Sequence, residues 1–109
     1  MQRLEVTYRP EAISDLAEIY RYIALQSGSR TIALAYVQRI RARCQKIGDA
    51  PNGGRPRNDL APGLRIIPFE RAAIIAYQVQ DTVRIVNIFY GGRDYEALFR
   101  NETGDDRLA

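Results

Sequence analysis

Arginines and tyrosines hold most of the recognition chemistry available to this chain. The stretch from Gly63 to Phe99 reads GLRIIPFERAAIIAYQVQDTVRIVNIFYGGRDYEALF and contains Arg65, Arg84 and Arg93, the phenols Tyr90 and Tyr95, and the carboxylates Glu70, Asp94 and Glu96. A guanidinium grips phosphate or carboxylate through a planar fork, so the cations suit anion recognition. Proton transfer is less well served. The chain has no His, and an arginine does not act as an ordinary base.

Three apolar runs of strand length must position these groups. Leu64–Phe69, Ala72–Val79 and Val83–Tyr90 are separated by Glu70-Arg71 and by Gln80-Asp81-Thr82, a spacing that predicts a β-meander with tight hairpins. A period of two puts Val83, Ile85 and Phe89 on one face of the last run and Val86, Ile88 and Tyr90 on the other, which places that strand inside a sheet and not at its edge. Gly91 and Gly92 then free the backbone, so Arg93, Asp94 and Tyr95 are expected at the strand's C-terminal rim and within reach of Arg65. Asp94 has a second reading, as a cap for Tyr95 to Phe99. Arg65 interrupts an apolar run, and burying its cation unpaired is costly, so it requires either a carboxylate (Glu70, Asp94 or Glu96) or a ligand.

At 109 residues, 46% hydrophobic and 27% charged, the chain makes one globular domain. No window is apolar enough for a membrane span, and Met1 to Tyr8 lacks the pattern of a signal peptide, so a cytoplasmic protein without membrane association is expected. The lone Cys44 and the absence of His argue against a disulfide and a zinc site, and no Asp/Glu cluster suggests Mg²⁺, so neither metal nor cofactor is expected. Charge is uneven. Between Arg30 and Arg71 nine Arg or Lys face three acids, a balance of +6 in a chain of net +3, which leaves −3 elsewhere. Such asymmetry fits a polyanionic partner, nucleic acid or an acidic protein segment, as well as it fits an ordinary solvated Arg-rich surface.

Earlier in the chain, Leu4 to Tyr8 alternates as a short half-buried strand. Ile13, Leu16, Ala17, Tyr20 and Ile23 recur at helical spacing behind Pro10, predicting a helix from Pro10 to about Gln26. Gly28 caps it, and Ser29 opens a second helix whose stripe is Ala33, Tyr36, Val37, Ile40, Cys44 and Ile47. The short link makes an antiparallel hairpin. Arg39, Arg43 and Lys46 form a basic row on one side of the second helix, while Tyr20, Tyr22 and Tyr36 read as core or helix–sheet contacts. Asp49 to Pro62 reads as a loop, and the polar residues 101–109 as a frayed tail after a single domain of residues 1–100. The expected fold is α+β: an N-terminal strand and an antiparallel helical hairpin packed on one face of an antiparallel sheet, in the order β-α-α-β-β-β. Its other sheet face is expected to stay open and apolar, and so to call for a protein partner.

The stretches YRPEAISDLAEIYRYIA, GLRIIPF and VRIVNIFYGGRDYEALF resemble the RelE/ParE superfamily of toxins from type II toxin–antitoxin modules, in the family's order across most of residues 4 to 99. The Tyr90-Gly91-Gly92-Arg93-Asp94 turn is similar to the ParE branch, in which a His often precedes a Gly-Arg-Arg-Asp turn; here Tyr90 replaces it and Gly92 stands before Arg93. The resemblance implies a non-enzymatic toxin that inhibits DNA gyrase and is neutralised by a ParD-like antitoxin in a hetero-oligomer. Target-binding residues would be Arg65, which matches an Arg common in the family, with Arg93, Asp94 and Tyr95. Antitoxin-binding residues would be Arg39, Arg43, Lys46, Tyr77, Ile88 and Tyr90. The alternative is a RelE-like ribosome-dependent mRNA endonuclease using Arg65, Arg84, Arg93, Tyr90 and Tyr95. Attack by a 2′-OH needs a base and an acid as well as cations, and the base is hard to find here. A plain nucleic-acid-binding module is a third reading, and the chain carries no recognised DNA-binding motif for it.

Overall fold

The structure, a computed structural model, describes residues 3–100; the tail expected at 101–109 lies outside the described residues. Seven elements follow in order: β1 (Val6–Tyr8), α1 (Pro10–Ser27), α2 (Arg30–Ile47), β2 (Arg55–Pro56), β3 (Leu64–Phe69), β4 (Ala73–Val79) and β5 (Val83–Tyr90). The α+β fold is as expected, with two differences in the sheet. A two-residue strand, β2, lies inside the expected loop, and the sheet order β1-β5-β4-β3-β2 pairs β1 parallel to β5. The parallel pair follows from connectivity, because the chain leaves β1, crosses the sheet as a helical hairpin and returns. β5 thus has strands on both sides, as its apolar composition requires.

Local signals set the helices. Gly28 closes α1 in the left-handed conformation (φ 69°), and the Ser29 hydroxyl accepts the Ile32 N–H at 3.2 Å to open α2. Ala12, Leu16, Ile19 and Ile23 of α1 and Ala33, Tyr36, Ile40, Cys44 and Ile47 of α2 are buried against Ile67, Ile75, Tyr77, Val83, Ile85 and Ile88 of the sheet. Burial raises the Cys44 thiol to about 11, which keeps it an unreactive core group. Tyr22 is 52% exposed and, of the two expected roles, takes the helix–sheet contact, its ring 5.8 Å from that of Tyr90.

A bulge overturns the face assignment in β5. Tyr77 pairs with Ile85 while Ala76 pairs with Asn87, so one extra residue enters β5 at Val86. Beyond it the alternation changes phase: Ile88 and Tyr90 join Val83 and Ile85 under the helices, and Val86 and Phe89 point to the outer face. Side chains from the N-terminal third satisfy the backbone there. Arg9 Nε donates to Val86 O (3.0 Å), Arg9 Nη2 donates to Asn87 Oδ1 (2.7 Å), and Asp15 Oδ2 accepts from Ile88 N (2.9 Å) and Asn87 Nδ2 (3.0 Å).

The outer face is not open either. Leu60, Leu64, Ile66, Ala76, Val86, Phe89 and Phe99 form a second buried cluster, closed over by Ala61 and by Tyr95 and Leu98. Residues 57–63 and a helical turn at 95–100 supply this cover. The apolar surface expected to need a partner is therefore buried by the chain itself, and Arg57 staples the cover. Its guanidinium holds Asp59 through two contacts (3.0 and 2.8 Å), Glu96 at 2.7 Å and the Tyr95 hydroxyl at 3.2 Å.

Candidate functional site

β3, β4 and β5 share a register that separates the sequence-predicted residues into two groups. Arg65 pairs with Tyr77, which pairs with Ile85, whereas Tyr90 pairs with Ala73, which pairs with Phe69. Four residues of β3 separate the two rows, roughly 13 Å at the ~3.3 Å rise of a strand. Arg65 and Arg93 thus stand at opposite ends of the sheet. Arg84 lies at the Arg65 end, between Thr7 and Gln78. The five residues named for a nuclease do not converge.

At its end, Arg65 takes neither a carboxylate nor an exposed position. Nη1 donates to the carbonyls of Asn52 (3.0 Å) and Gly54 (2.7 Å), which the partners expected from sequence, Glu70, Asp94 and Glu96, did not include. Glu70 and Asp94 lie at the other end of the sheet, where Arg39 holds Glu70 and Asp94 serves as a cap, and Glu96 is held by Arg57 on the outer cover. Tyr77 lies beside Arg65 with no exposed surface. Its hydroxyl accepts from Gly54 N (2.8 Å) and donates to Pro51 O (2.9 Å). A Cβ at Gly54 would sit 2.5 Å from that oxygen, so glycine is the residue that lets the loop close on the phenol. Burial raises the Tyr77 pKa, opposed by the Gly54 hydrogen bond.

The residues expected at an antitoxin surface are divided likewise. Tyr77 and Ile88 (1% exposed) have no surface to offer, because both point under the helical hairpin. Arg39 is exposed but grips Glu70 through two hydrogen bonds, 2.9 and 3.0 Å, which hold the Glu70 carboxyl below its usual range. Arg43 is half-buried and Lys46 exposed on the same helix. Tyr90, half-buried, meets Tyr22 and Tyr36 edge-on with centroids at 5.8 and 5.5 Å. Burial, with Tyr90 and Glu70 adding to it, pushes the Tyr36 hydroxyl up to about 12.

The rim beyond β5 has the character of a site. Gly91 and Gly92 both take φ 77°, a left-handed region that a Cβ disfavours, while the space around each is empty, so conformation alone demands glycine. Gly91 N donates to Ala72 O (2.9 Å), tying the rim to the β3–β4 turn. Arg93 follows, exposed, its Cζ 5.9 Å from the Phe89 centroid and without an ion pair among the described residues. Asp94 is used locally: its Oδ1 accepts from Ala97 N at 3.1 Å, capping residues 95–100. Tyr95 stacks on Phe89 at 5.8 Å and 28°.

Three clefts meet at Arg93. The first, about 280 Å³, runs between α1 and the end of β5 past Asp15, Glu18, Tyr22 and Tyr90. A second, about 160 Å³, lies by Asn87, Leu98 and Phe99. The third, about 260 Å³, reaches the β3–β4 turn at Arg71. The arrangement presents a free guanidinium to anionic groups. Among the described residues no group of three metal-ligating side chains occurs, and no helix is long and apolar enough to cross a membrane. Sequence reasoning missed Arg9, Asp15 and Arg71; Asn87, a polar residue inside an apolar strand, was the one signal that pointed toward the bulge.

The family model of the ParE toxin of type II toxin–antitoxin systems, parDE, matches residues 6–95. Among solved structures, the chromosomal ParDE TA system from P. aeruginosa contains a chain similar to this one in fold, at TM-score 0.71 and 24% identity, over 82% of this chain and 97% of that one. No curated protein matches in sequence.

Proposed function

This chain belongs to the ParE toxin family of type II toxin–antitoxin systems, and we propose that it is the toxin of such a module, inhibiting DNA gyrase in the cytoplasm and neutralised by a ParD-like antitoxin. The observation that carries the choice of target is the separation of Arg65 and Arg84 from Arg93, Tyr90 and Tyr95. A nuclease of the RelE kind needs its cations and phenols around one phosphate, whereas a toxin that works by binding needs only a presented surface. The unpaired Arg93 on its glycine turn supplies such a surface.

The motive for an antitoxin shifts with the structure. Since the outer sheet face is self-covered, the surface left for a partner is the helical hairpin, where Ile13, Tyr22, Leu25, Ile32 and Leu34 are 47–83% exposed. An amphipathic antitoxin segment buries such residues, with acids meeting Arg43 and Lys46 and its end reaching the cleft beside Tyr90. Purified protein incubated with gyrase and supercoiled plasmid is expected to trap cleaved DNA, and the antitoxin to abolish the effect. Cleavage of mRNA on ribosomes, with gyrase unaffected, would overturn the reading.

A further inference from the structure

The third cleft stands apart from the antitoxin surface and shares Arg93 and Tyr95 with the residues expected to bind a target. It lies where the β3–β4 turn meets the rim, two turns joined by the hydrogen bond from Gly91 N to Ala72 O. Arg71 and Arg93 line it together with Pro68, Ile74, Phe89 and Tyr95, and among the described residues no Asp or Glu does. The acids next to them in sequence are engaged locally, Glu70 by Arg39 and Asp94 by the Ala97 N–H. Arg71 makes no ion pair among the described residues. Left-handed backbone shapes both turns: Glu70 and Arg71 take φ 49° and 61°, and Gly91 and Gly92, which precede Arg93, take 77°. For a side chain as bulky as Arg71 this is a strained conformation. Glycine would hold the turn at lower cost, and strain of this kind gathers at ligand clamps.

We infer that this cleft binds a peptide segment of a partner protein that presents a large apolar side chain next to a carboxylate. The apolar group lies on Pro68 and Ile74, and the carboxylate meets the guanidiniums of Arg71 and Arg93. The lining favours a peptide over a nucleotide, which shares the anionic group. Base stacking would need a free ring, yet Phe89 is 4% exposed, and Tyr95 is already engaged by Phe89 and by Arg57, whose Cζ is 6.0 Å from its centroid. An apolar floor also dries the site and strengthens the charge-assisted hydrogen bonds at its rim.

Nuclear magnetic resonance titration of the ¹⁵N-labelled full chain tests this with three probes: acetyl-Gly-Phe-Glu-Gly-amide, its Gln counterpart, and thymidine 5′-monophosphate. The Phe-Glu peptide is expected to move the amide signals of Ala72, Gly92 and Arg93 saturably, and the Gln peptide to bind about tenfold more weakly for loss of the charged acceptor. Arg93→Gln is expected to weaken the Phe-Glu peptide by a similar factor. Arg71→Gly separates binding from folding: it relaxes the turn, so the melting temperature rises by about a few degrees while peptide affinity falls. Indifference to the Glu-to-Gln exchange, or unchanged affinity in Arg71→Gly, would overturn the inference. Tighter binding of thymidine monophosphate than of the peptide would also overturn it, by making the cleft a nucleotide site. Because the readout is binding and not growth arrest, its failure leaves the gyrase reading standing.

Discussion

Where β3 begins, Arg65 spends its donors on two loop carbonyls and Tyr77 closes the same loop through Gly54 and Pro51; where β5 ends, Arg93 follows two left-handed glycines and forms no ion pair among the described residues. Both ends carry an arginine and an aromatic next to a glycine-bearing loop. Burial separates their roles: a cation drawn under a loop must find acceptors inside the protein or destabilise it, and a cation at a rim is left to water or to a partner. Residue type therefore says little about which arginine of this chain binds something. The register of the sheet says more.

The strongest way to break this contrast is to empty the closed end. Tyr77→Ala removes a fully buried ring and leaves Gly54 N–H and Pro51 O without their partner. We expect a loss of about 3–5 kcal/mol, read by chemical denaturation. A cost below about 1 kcal/mol would mean the two ends do not differ in the way described.

A matched pair sharpens it. Arg65→Ala takes charged donors from two carbonyls and is expected to cost about 1.5–3 kcal/mol, the range for hydrogen bonds to charged groups. Arg93→Ala is expected to stay within about 0.5 kcal/mol of the parent and yet to reduce growth arrest when expressed without antitoxin. Equal losses of stability in the two variants would erase the distinction, and undiminished arrest in Arg93→Ala would remove that residue from the site.

The smallest effect concerns pH. The Arg57 guanidinium holds the Asp59 carboxyl below its ordinary range, so the folded state takes up that proton less readily than the unfolded one. The stabilisation is then present above the ordinary carboxylate range and is lost as pH falls through the folded-state value. The closed end, built on carbonyls and a phenol, has no such dependence. Between pH 5 and 3, hydrogen exchange at Ala97 and Leu98, corrected for intrinsic rates, is expected to accelerate while Gly54 stays protected. Arg57→Gln is expected to flatten the pH response at the outer cover, because it removes the cation that shifts the carboxyl.

Much of the fold was legible from sequence because its signals are local. Strand runs, the two-residue turn at Glu70-Arg71, the Gly28 and Ser29 caps and the amphipathic stripes each depend on residues within about one helical turn of one another. The glycine rim and the free Arg93 were legible for the same reason, as was the second reading of Asp94 as a cap. Tertiary structure alone decided the rest. The bulge at Val86 changed which face Ile88, Phe89 and Tyr90 occupy, and it is held by Arg9 and Asp15 from 78 and 73 residues away. Arg65 took carbonyls because Glu70 and Asp94 lie at the other end of the sheet and Glu96 is held by Arg57 on the outer cover, an arrangement that no spacing encodes. The outer face was closed by residues 57–63 and 95–100, whose apolar side chains are too few to announce a cover but enough to bury one. Periodicity fixes which residues share a face over a few positions; partners far apart in sequence are fixed only when register, bulges and crossovers bring them within hydrogen-bond distance.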